Sequence, residues 1–147
     1  MKKIVWLFFL FILGITAHRY AAAEVIITEK EAALPAAAGA FASRGISRGP
    51  AIKLESPAAD ILVSAPFAFK VKFEPRGGAK IDPSSIKVVY LKSPLVDLTQ
   101  RLKSSTSSTG IELTNANAPS GTHPIRVMIK DSEGRESNLI FNLVIGP

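Results

Sequence analysis

The chain contains no cysteine, one tryptophan and two histidines in 147 residues. Without cysteine it can form no disulfide bond and no thiolate metal site, and no lipid can be attached to an N-terminal cysteine. A domain without disulfides must be stabilised by its hydrophobic core, and this length is sufficient for one such domain. Sugar binding by stacking needs exposed aromatic rings, but Trp6 lies in the apolar N-terminal run and Tyr90 has the parity of a core row.

The first 23 residues have the organisation of a secretory signal peptide. A lysine pair precedes a continuous apolar run over residues 4 to 17, and small residues at Ala21 and Ala23 precede Glu24. The run is shorter than the roughly 20 residues that a membrane-spanning helix needs. We therefore expect cleavage after Ala23 and export of the mature chain to the periplasm or the extracellular space, with no membrane insertion.

The basic character of the precursor comes partly from this segment. The formal charge is +6 for the whole chain and falls to +3 without residues 1 to 23, which carry Lys2, Lys3 and Arg19 but no acidic residue. The remaining charges of both signs are interspersed, and no basic stripe alternates with aromatic residues. We therefore expect no nucleic-acid binding.

Residues 24 to 50 are predicted to form an Ala/Gly-rich tether. Thr28 and Glu31 have the spacing of a capping box, which favours a possible short helix over residues 29 to 34. Pro35 prevents that helix from continuing. The rest of the tether has too few large apolar side chains to offset the entropy of ordering.

The second half of the tether contains two features that bear on function. Arg44 and Arg48 could dock on an acidic partner, although two guanidinium groups in a flexible segment gain little at physiological ionic strength. Whether they have a function is left open. Residues 45 to 49 match the G-x-S-x-G pattern of serine hydrolases around Ser47, but the surrounding sequence lacks the required strand and helix, so we interpret the match as chance.

Residues 51 to 147 are predicted to form an all-β domain that folds without the tether. Turn residues recur at short intervals between short segments in which apolar and polar residues alternate. The clearest alternation runs from residue 67 to 73 and places three phenylalanines on one face. Pro57 splits the first strand into one part at residues 52 to 54 and another at 61 to 64.

The middle of the domain is predicted to contain one further core strand and one ambiguous stretch. Tyr90 belongs to an inward row of apolar residues, whereas Val89 and Leu91 on the outer face are predicted to lie under a loop. Residues 94 to 102 fit either a short edge strand or a helical turn, and we favour the edge strand. About 7–8 short strands with little helix predict an antiparallel β-sandwich.

Residues 121 to 146 are predicted to form a β-hairpin. Ile125, Val127 and Ile129 alternate with polar residues in the first strand, and the polar residues 131 to 134 supply the turn. The return strand is apolar on both faces, so we expect it to be covered on both sides.

The hairpin carries a pattern that resembles the last strands of bacterial Ig-like and fibronectin-III-like domains. The pattern is Gly121-x-His123-x-Ile125-x-Val127-x-Ile129-x-Asp131-x-x-Gly134. The resemblance covers residues 51 to 146 and implies an Ig-like sandwich that serves as a spacer or as an adhesion or interaction module, with no catalytic residue carried over. Arg135 departs from the family, which often has Asn there.

Histidine limits the chemistry that the chain could perform. His123 is the one histidine that remains after cleavage at Ala23, so a small exported enzyme would have to use it. Its place at the mouth of a strand predicts instead a hydrogen bond to a neighbouring loop. If cleavage followed Ala17, His18 would become the N-terminus and could form a three-nitrogen copper site with His123.

Acidic residues predict no metal site. Asp131 and Glu133 in the hairpin turn are too few to bind calcium, and a turn aspartate ordinarily bonds the backbone two residues on. The sequence therefore assigns no catalytic, cofactor-binding or metal-binding residue. We predict a non-enzymatic, exported Ig-like module of the cell envelope that acts as a protein-interaction or spacer domain. The identity of its protein partner and its oligomeric state are left open.

Overall fold

The computed structural model describes residues 22–39 and 48–147. Several predictions fall on positions outside these ranges: most of the signal peptide over residues 1–23, His18, Arg44 and Ser47. Within the described ranges the chain forms ten β-strands, one short α-helix and two 3-10 turns. No helix in this part of the chain is long and apolar enough to cross a membrane.

The elements follow one another in the order of their numbers. The strands are β1 (Glu24–Val25), β2 (Ala51–Ser56), β3 (Leu62–Val63), β4 (Phe67–Glu74), β5 (Lys87–Tyr90), β6 (Val96–Asp97), β7 (Thr106–Ser107), β8 (Gly110–Asn117), β9 (Gly121–Lys130) and β10 (Glu136–Ile145). The helix is α1 (Glu29–Ala32), and the 3-10 turns are Pro83–Ser85 and Lys103–Ser105.

The strands form two five-stranded sheets. The first sheet has the order β1-β8-β4-β2, with β7 also paired to β8, and the second has the order β3-β10-β9-β5-β6. All pairs are antiparallel except β1 with β8 and β3 with β10. The prediction of an all-β fold is confirmed. More strands are present than the 7–8 expected, because the two-residue strands β1 and β7 show no alternation in the sequence.

The predicted split of the first strand is confirmed, and its two parts lie in different sheets. β2 pairs with β4 in the first sheet, whereas β3 pairs with β10 in the second. The chain crosses between the sheets after Pro57 and reaches β10 at Asp60, which has a positive φ of 61°. The predicted hairpin is also confirmed, since β9 and β10 pair along their whole lengths.

The core lies between the two sheets. The predicted inward rows are buried: Phe67, Phe69, Val71 and Phe73 of β4, Val88 and Tyr90 of β5, and Ile125, Val127 and Ile129 of β9. The rings of Phe69 and Phe141 lie 6.2 Å apart and join the sheets. Each fully buried side chain of this size contributes about 1.5–3 kcal/mol to folding.

The ambiguous stretch over residues 94 to 102 contains the favoured edge strand. β6 pairs with β5 at the edge of the second sheet. After β6, the N–H groups of Arg101 and Leu102 donate to the carbonyl of Leu98, so one turn follows the strand. Leu98 and Leu102 are buried, whereas Leu95 is 59% exposed on the outer face.

Residues 24–37, here called the N-terminal strap, pack against the sandwich. β1 pairs with the end of β8, and Ile26 and Ile27 insert into the core with 0% and 1% exposure. α1 follows and has the predicted capping box, in which the Thr28 hydroxyl and the Glu31 carboxylate each accept a backbone N–H of the other residue. The strap therefore begins on the first sheet and covers one end of the core.

The strap ends on the second sheet. The N–H of Ala37 donates to the carbonyl of Leu91 at 3.1 Å, and the N–H of Ser93 donates to the carbonyl of Pro35 at 2.8 Å. The prediction of a tether over residues 24–50 therefore does not hold for the strap, which belongs to the folded unit. The composition of the segment gave the wrong prediction, because the strap is otherwise poor in large apolar residues. Two isoleucines and a few main-chain hydrogen bonds are enough to fix it against the sandwich.

Candidate functional site

The side chain of His123 lies on the core side of β9, and the residue is 2% exposed. Its Nδ1 is 2.8 Å from the Tyr90 hydroxyl oxygen, and its Nε2 is 2.7 Å from the carbonyl oxygen of Pro119. Because a carbonyl can only accept, Nε2 carries the proton of the neutral ring and Nδ1 accepts from the Tyr90 hydroxyl. The predicted hydrogen bond from His123 to a neighbouring loop is confirmed.

The surroundings of His123 keep its ring neutral. Burial lowers the pKa of His123, and the nearby positive charge of Lys92 acts in the same direction. Burial also raises the pKa of Tyr90 to about 12. The ammonium group of Lys92 lies 5.4 Å from the centre of the Tyr90 ring and donates to the carbonyls of Ala32 and Leu34 in the strap.

This geometry gives His123 a structural role. Both ring nitrogens are engaged inside the protein, so in this conformation neither is open to a substrate or to a copper ion. The other proposed copper ligand, His18, lies outside the described residues. Over residues 22–39 and 48–147, no group of three His, Asp or Glu side chains is arranged to hold a metal ion.

The hairpin turn is organised by Asp131. Its Oδ1 accepts the backbone N–H groups of Glu133 at 3.0 Å and Arg135 at 2.9 Å, and its Oδ2 accepts Nε of Arg135 at 2.7 Å. Burial alone would raise the pKa of Asp131, but these hydrogen bonds outweigh burial and lower it. The predicted bond to the backbone two residues on is confirmed, and the carboxylate oxygens are already occupied by protein donors.

The outer face of the first sheet is charged. Lysines and glutamates form ion pairs on this face, two between adjacent strands and one within β4: Lys53 with Glu74 at 2.7 Å, Lys70 with Glu112 at 2.5 Å, and within β4 Lys72 with Glu74 at 3.6 Å. These side chains are largely exposed to solvent, so each pair contributes little to stability. They keep this face hydrated.

Aliphatic side chains occupy the middle of the outer face of the second sheet, whereas Lys87, Lys130 and Glu136 lie on the same face toward one end. Ile140 of β10 is opposite Arg126 of β9, which in turn is opposite Val89 of β5. In the adjacent row, Asn142 is opposite Pro124. Both aliphatic side chains are half-buried within the sheet surface. We call the patch formed by Val89, Ile140 and Val144 around Arg126 the apolar face.

Exposed aliphatic side chains continue the apolar face at both edges. Leu62 of β3 is 65% exposed and pairs with Val144, while Leu95 beside β6 is 59% exposed. The end of the strap borders the face beside Leu91 and Arg126, where a cleft opens between these elements. The predicted cover over Leu91 is therefore the strap.

Sequence reasoning did not identify the apolar face. It predicted that Val89 lies under a loop and that the return strand is covered on both sides, whereas Val89, Ile140 and Val144 are only half-buried. The signal that could have found the face is the presence of Val89, Ile140 and Val144 at outward positions, because β4 has Lys or Glu at most of its outward positions. No protein-family model, curated protein or solved structure shows a significant match to this chain.

Proposed function

We propose that this chain is an exported, non-enzymatic Ig-like module that binds a protein partner through the apolar face. The strand order supports the Ig-like part of the proposal. β2-β4-β8 in one sheet and β10-β9-β5 in the other correspond to the A-B-E and G-F-C orders of Ig domains. The first strand, divided between the sheets, completes this correspondence.

The difference between the two outer faces carries the functional proposal. A sheet face that only meets water can be covered with charged side chains, as the first sheet is. The second sheet carries lysine and glutamate toward one end of its outer face, at Lys87 and the Lys130–Glu136 pair. Elsewhere it presents Val89, Ile140 and Val144, and the exposed Leu62 and Leu95 lie at its edges. Single exposed apolar residues need no explanation, but a contiguous set marks an interaction surface.

The chemistry of the apolar face favours a folded protein as the partner. Two aliphatic side chains, Val89 and Ile140, flank Arg126 across the strands, and the amides of Asn138 and Asn142 lie on either side of Ile140 on β10. Interfaces between proteins are depleted in charge at their centres yet enriched in arginine. The partner should therefore present an apolar patch ringed by hydrogen-bonding groups rather than a polyanion or a lipid surface.

Export is part of the proposal and has its own test. The expected product of signal-peptide cleavage begins at Glu24. Because β1 begins at this same residue, cleavage after Ala23 would leave the whole strap on the mature domain. Intact mass of the protein recovered from outside the cytoplasm should match a chain that starts at Glu24. Retention of the full-length mass in the cytoplasm would refute export.

The binding proposal is tested with a matched pair of lysine substitutions. Val89→Lys adds a charge at the centre of the apolar face, and Thr114→Lys adds the same charge on the exposed outer face of the first sheet. Each mature protein is used as bait in an envelope extract, after its melting temperature has been measured. A partner captured by the wild type and by Thr114→Lys, but not by a folded Val89→Lys, supports the proposal. Equal capture by both variants would contradict it.

A further inference from the structure

One edge of the second sheet is only partly occupied. β3 pairs with β10 at just two positions, Leu62 with Val144 and Val63 with Ile145. The chain leaves this edge at Asp60, whose N–H donates to the carbonyl of Asn142 at 3.2 Å. Over the described residues no strand lies beside residues 138–141 of β10 on that side. We call residues 138–141 the open edge.

The backbone direction at the open edge follows from the neighbouring pairs. The carbonyl of Pro124 in β9 accepts from Leu91 of β5, so even-numbered residues of β9 bond to β5 and odd-numbered residues bond to β10. Even-numbered residues of β10 therefore direct their N–H and C=O groups away from β9, as Asn142 does toward Asp60. The N–H and C=O groups of Asn138 and Ile140 accordingly point outward along the open edge.

An apolar seam lies next to the open edge. β2, the last strand of the first sheet, contacts β10 on this side of the sandwich. Ile52 and Leu54 of β2 and Leu139 of β10 are only partly buried, although they pack against the core. An additional strand at the open edge would cover these three side chains.

The two sheet edges on this side differ in their protection. β2 alternates Lys53 and Glu55 outward and has an irregular register between Leu54 and Ser56, features that hinder strand addition. The open edge has neither lysine nor proline, and β10 pairs with β9 without a register shift. Nothing in its own sequence discourages an incoming strand.

We propose that the open edge binds an extended segment of a partner polypeptide, which adds as a strand in line with β3. The alternating N–H and C=O groups of Asn138 and Ile140 require an extended backbone, and the seam requires apolar side chains at alternate positions of the segment. This site uses the backbone groups of Asn138 and Ile140, whose side chains lie at or beside the apolar face, and it does not depend on binding at that face.

Charge defines one end of the bound segment. Asp60 is exposed, and its Oδ1 accepts from Nδ2 of Asn142 at 2.9 Å. Among the described residues no cation lies within ion-pair distance of it. A lysine or arginine at the end of the segment that reaches Asp60 therefore completes the match. The ligand is an extended peptide with alternating apolar residues and one basic end.

The probes are two end-blocked hexapeptides, VTVTVK and KVTVTV. The first places its lysine at Asp60 if the added strand is parallel to β10, and the second does so if it is antiparallel. Versions with glutamate in place of lysine test the charge. Binding is followed by NMR amide exchange on the mature protein, where the amides of Asn138 and Ile140 should gain protection while that of Leu139, already directed to β9, should not.

A matched pair of substitutions tests the backbone contact. Asn138→Pro removes an N–H group that β9 does not use, whereas Asn138→Ala keeps this group and removes only the side chain. We expect the proline variant to weaken peptide binding about fivefold to tenfold, and the alanine variant about twofold or less. If the proline variant does not fold, the proposal is tested by the peptide-induced amide protection of the wild-type protein.

Several results would overturn the proposal. These are failure of both lysine peptides to bind, equal binding by Asn138→Pro, and protection confined to other strands. Protection of Asn138 and Ile140 without any peptide would show that the chain itself covers the edge. Concentration-dependent dimers that the proline variant abolishes would assign the edge to a second copy. None of these results bears on the Val89→Lys comparison, so the two proposals fail separately.

Discussion

Arg101 binds Glu31 through two parallel hydrogen bonds, from Nη1 to Oε2 at 2.7 Å and from Nη2 to Oε1 at 2.5 Å. The same guanidinium group donates to the carbonyl of Ile26 at 3.0 Å. The glutamate of the α1 capping box is thus bound to the sandwich body, by a residue 70 positions away in the chain. This contact holds the strap against the core.

Glu31→Gln should destabilise the protein by about 1 kcal/mol, with allowance for solvent screening of a pair that is only partly buried. The amide cannot accept both guanidinium hydrogen bonds, and one charge is lost. Urea unfolding of the mature chain measures the change. Glu112→Gln removes an exposed ion pair of the charged face and serves as the control, for which we expect an unchanged midpoint. Equal midpoints for both variants would show that the strap contact adds nothing.

The same pair predicts how stability changes with acid. The hydrogen bond from Arg101 lowers the pKa of Glu31 from 4.5 to about 2. The unfolded chain therefore takes up this proton at a higher pH than the folded chain does. The stabilisation that ionised Glu31 gains from Arg101 is complete above pH 4.5 and is lost as the pH falls toward 2. Glu31→Gln should flatten the decline in unfolding free energy over this range, and an identical decline in both proteins would exclude the assignment.

The buried strap isoleucines yield a second prediction. Ile27→Ala should cost about 2–4 kcal/mol, because it leaves a cavity at the end of the core. Val25→Ala, at a side chain that is 48% exposed, should cost far less. Removal of the whole strap should prevent cooperative unfolding, in contrast to the expectation from the sequence that residues 51 to 147 fold without it. A cooperative transition of unchanged midpoint in residues 51–147 would restore that expectation.

His123 predicts a separate pH dependence near neutrality. Burial lowers its pKa below the ordinary value of 6.5, so the unfolded chain binds this proton first. Stability should be greatest above pH 6.5 and should fall as the pH drops through that value. In a protein produced from Glu24 onward His123 is the one histidine, so His123→Gln should remove the slope between pH 7.5 and 5.5. Persistence of the slope in the variant would assign it to other groups.

Two glycines with different surroundings give a matched test of packing. A Cβ added to Gly110 would lie 2.2 Å from the carbonyl oxygen of Val71 on the neighbouring strand. Gly110→Ala should therefore separate β8 from β4 and cost about 2 kcal/mol or more. Gly146→Ala meets only the Leu62 side chain at an ordinary 3.6 Å and should be nearly neutral. Thermal unfolding of the two variants compares them, and a tolerated alanine at position 110 would contradict the close approach.

Local patterns in the sequence were sufficient for much of the fold. The phenylalanine row of β4, the Thr28–Glu31 capping box and the split at Pro57 each depend on residues close together in the chain, where period and turn chemistry act directly. β1 and β7 were missed because two residues cannot show a period. They form because each pairs with the backbone of β8.

Long-range contacts could not be predicted in this way. The hydrogen bond between Tyr90 and His123 joins two strands. The hydrogen bond from Lys92, just after β5, to the carbonyl of Leu34 joins the second sheet to the strap. Composition indicates whether a segment is rich in apolar residues, but not whether a distant cation donates hydrogen bonds to its carbonyls. The apolar face was likewise missed, since outward positions gain their meaning only when β5 and β10 are known to flank β9.

Site-specific photocrosslinking tests the proposed binding through the apolar face most directly. A benzophenone amino acid replaces Val89 in one protein and Thr114 in another, and each is expressed in the native host and irradiated in intact cells. We predict a discrete adduct with one partner protein from position 89 and none from position 114. The same adduct from both positions, or none from position 89 in a correctly folded protein, would contradict the proposal that the apolar face is the binding surface.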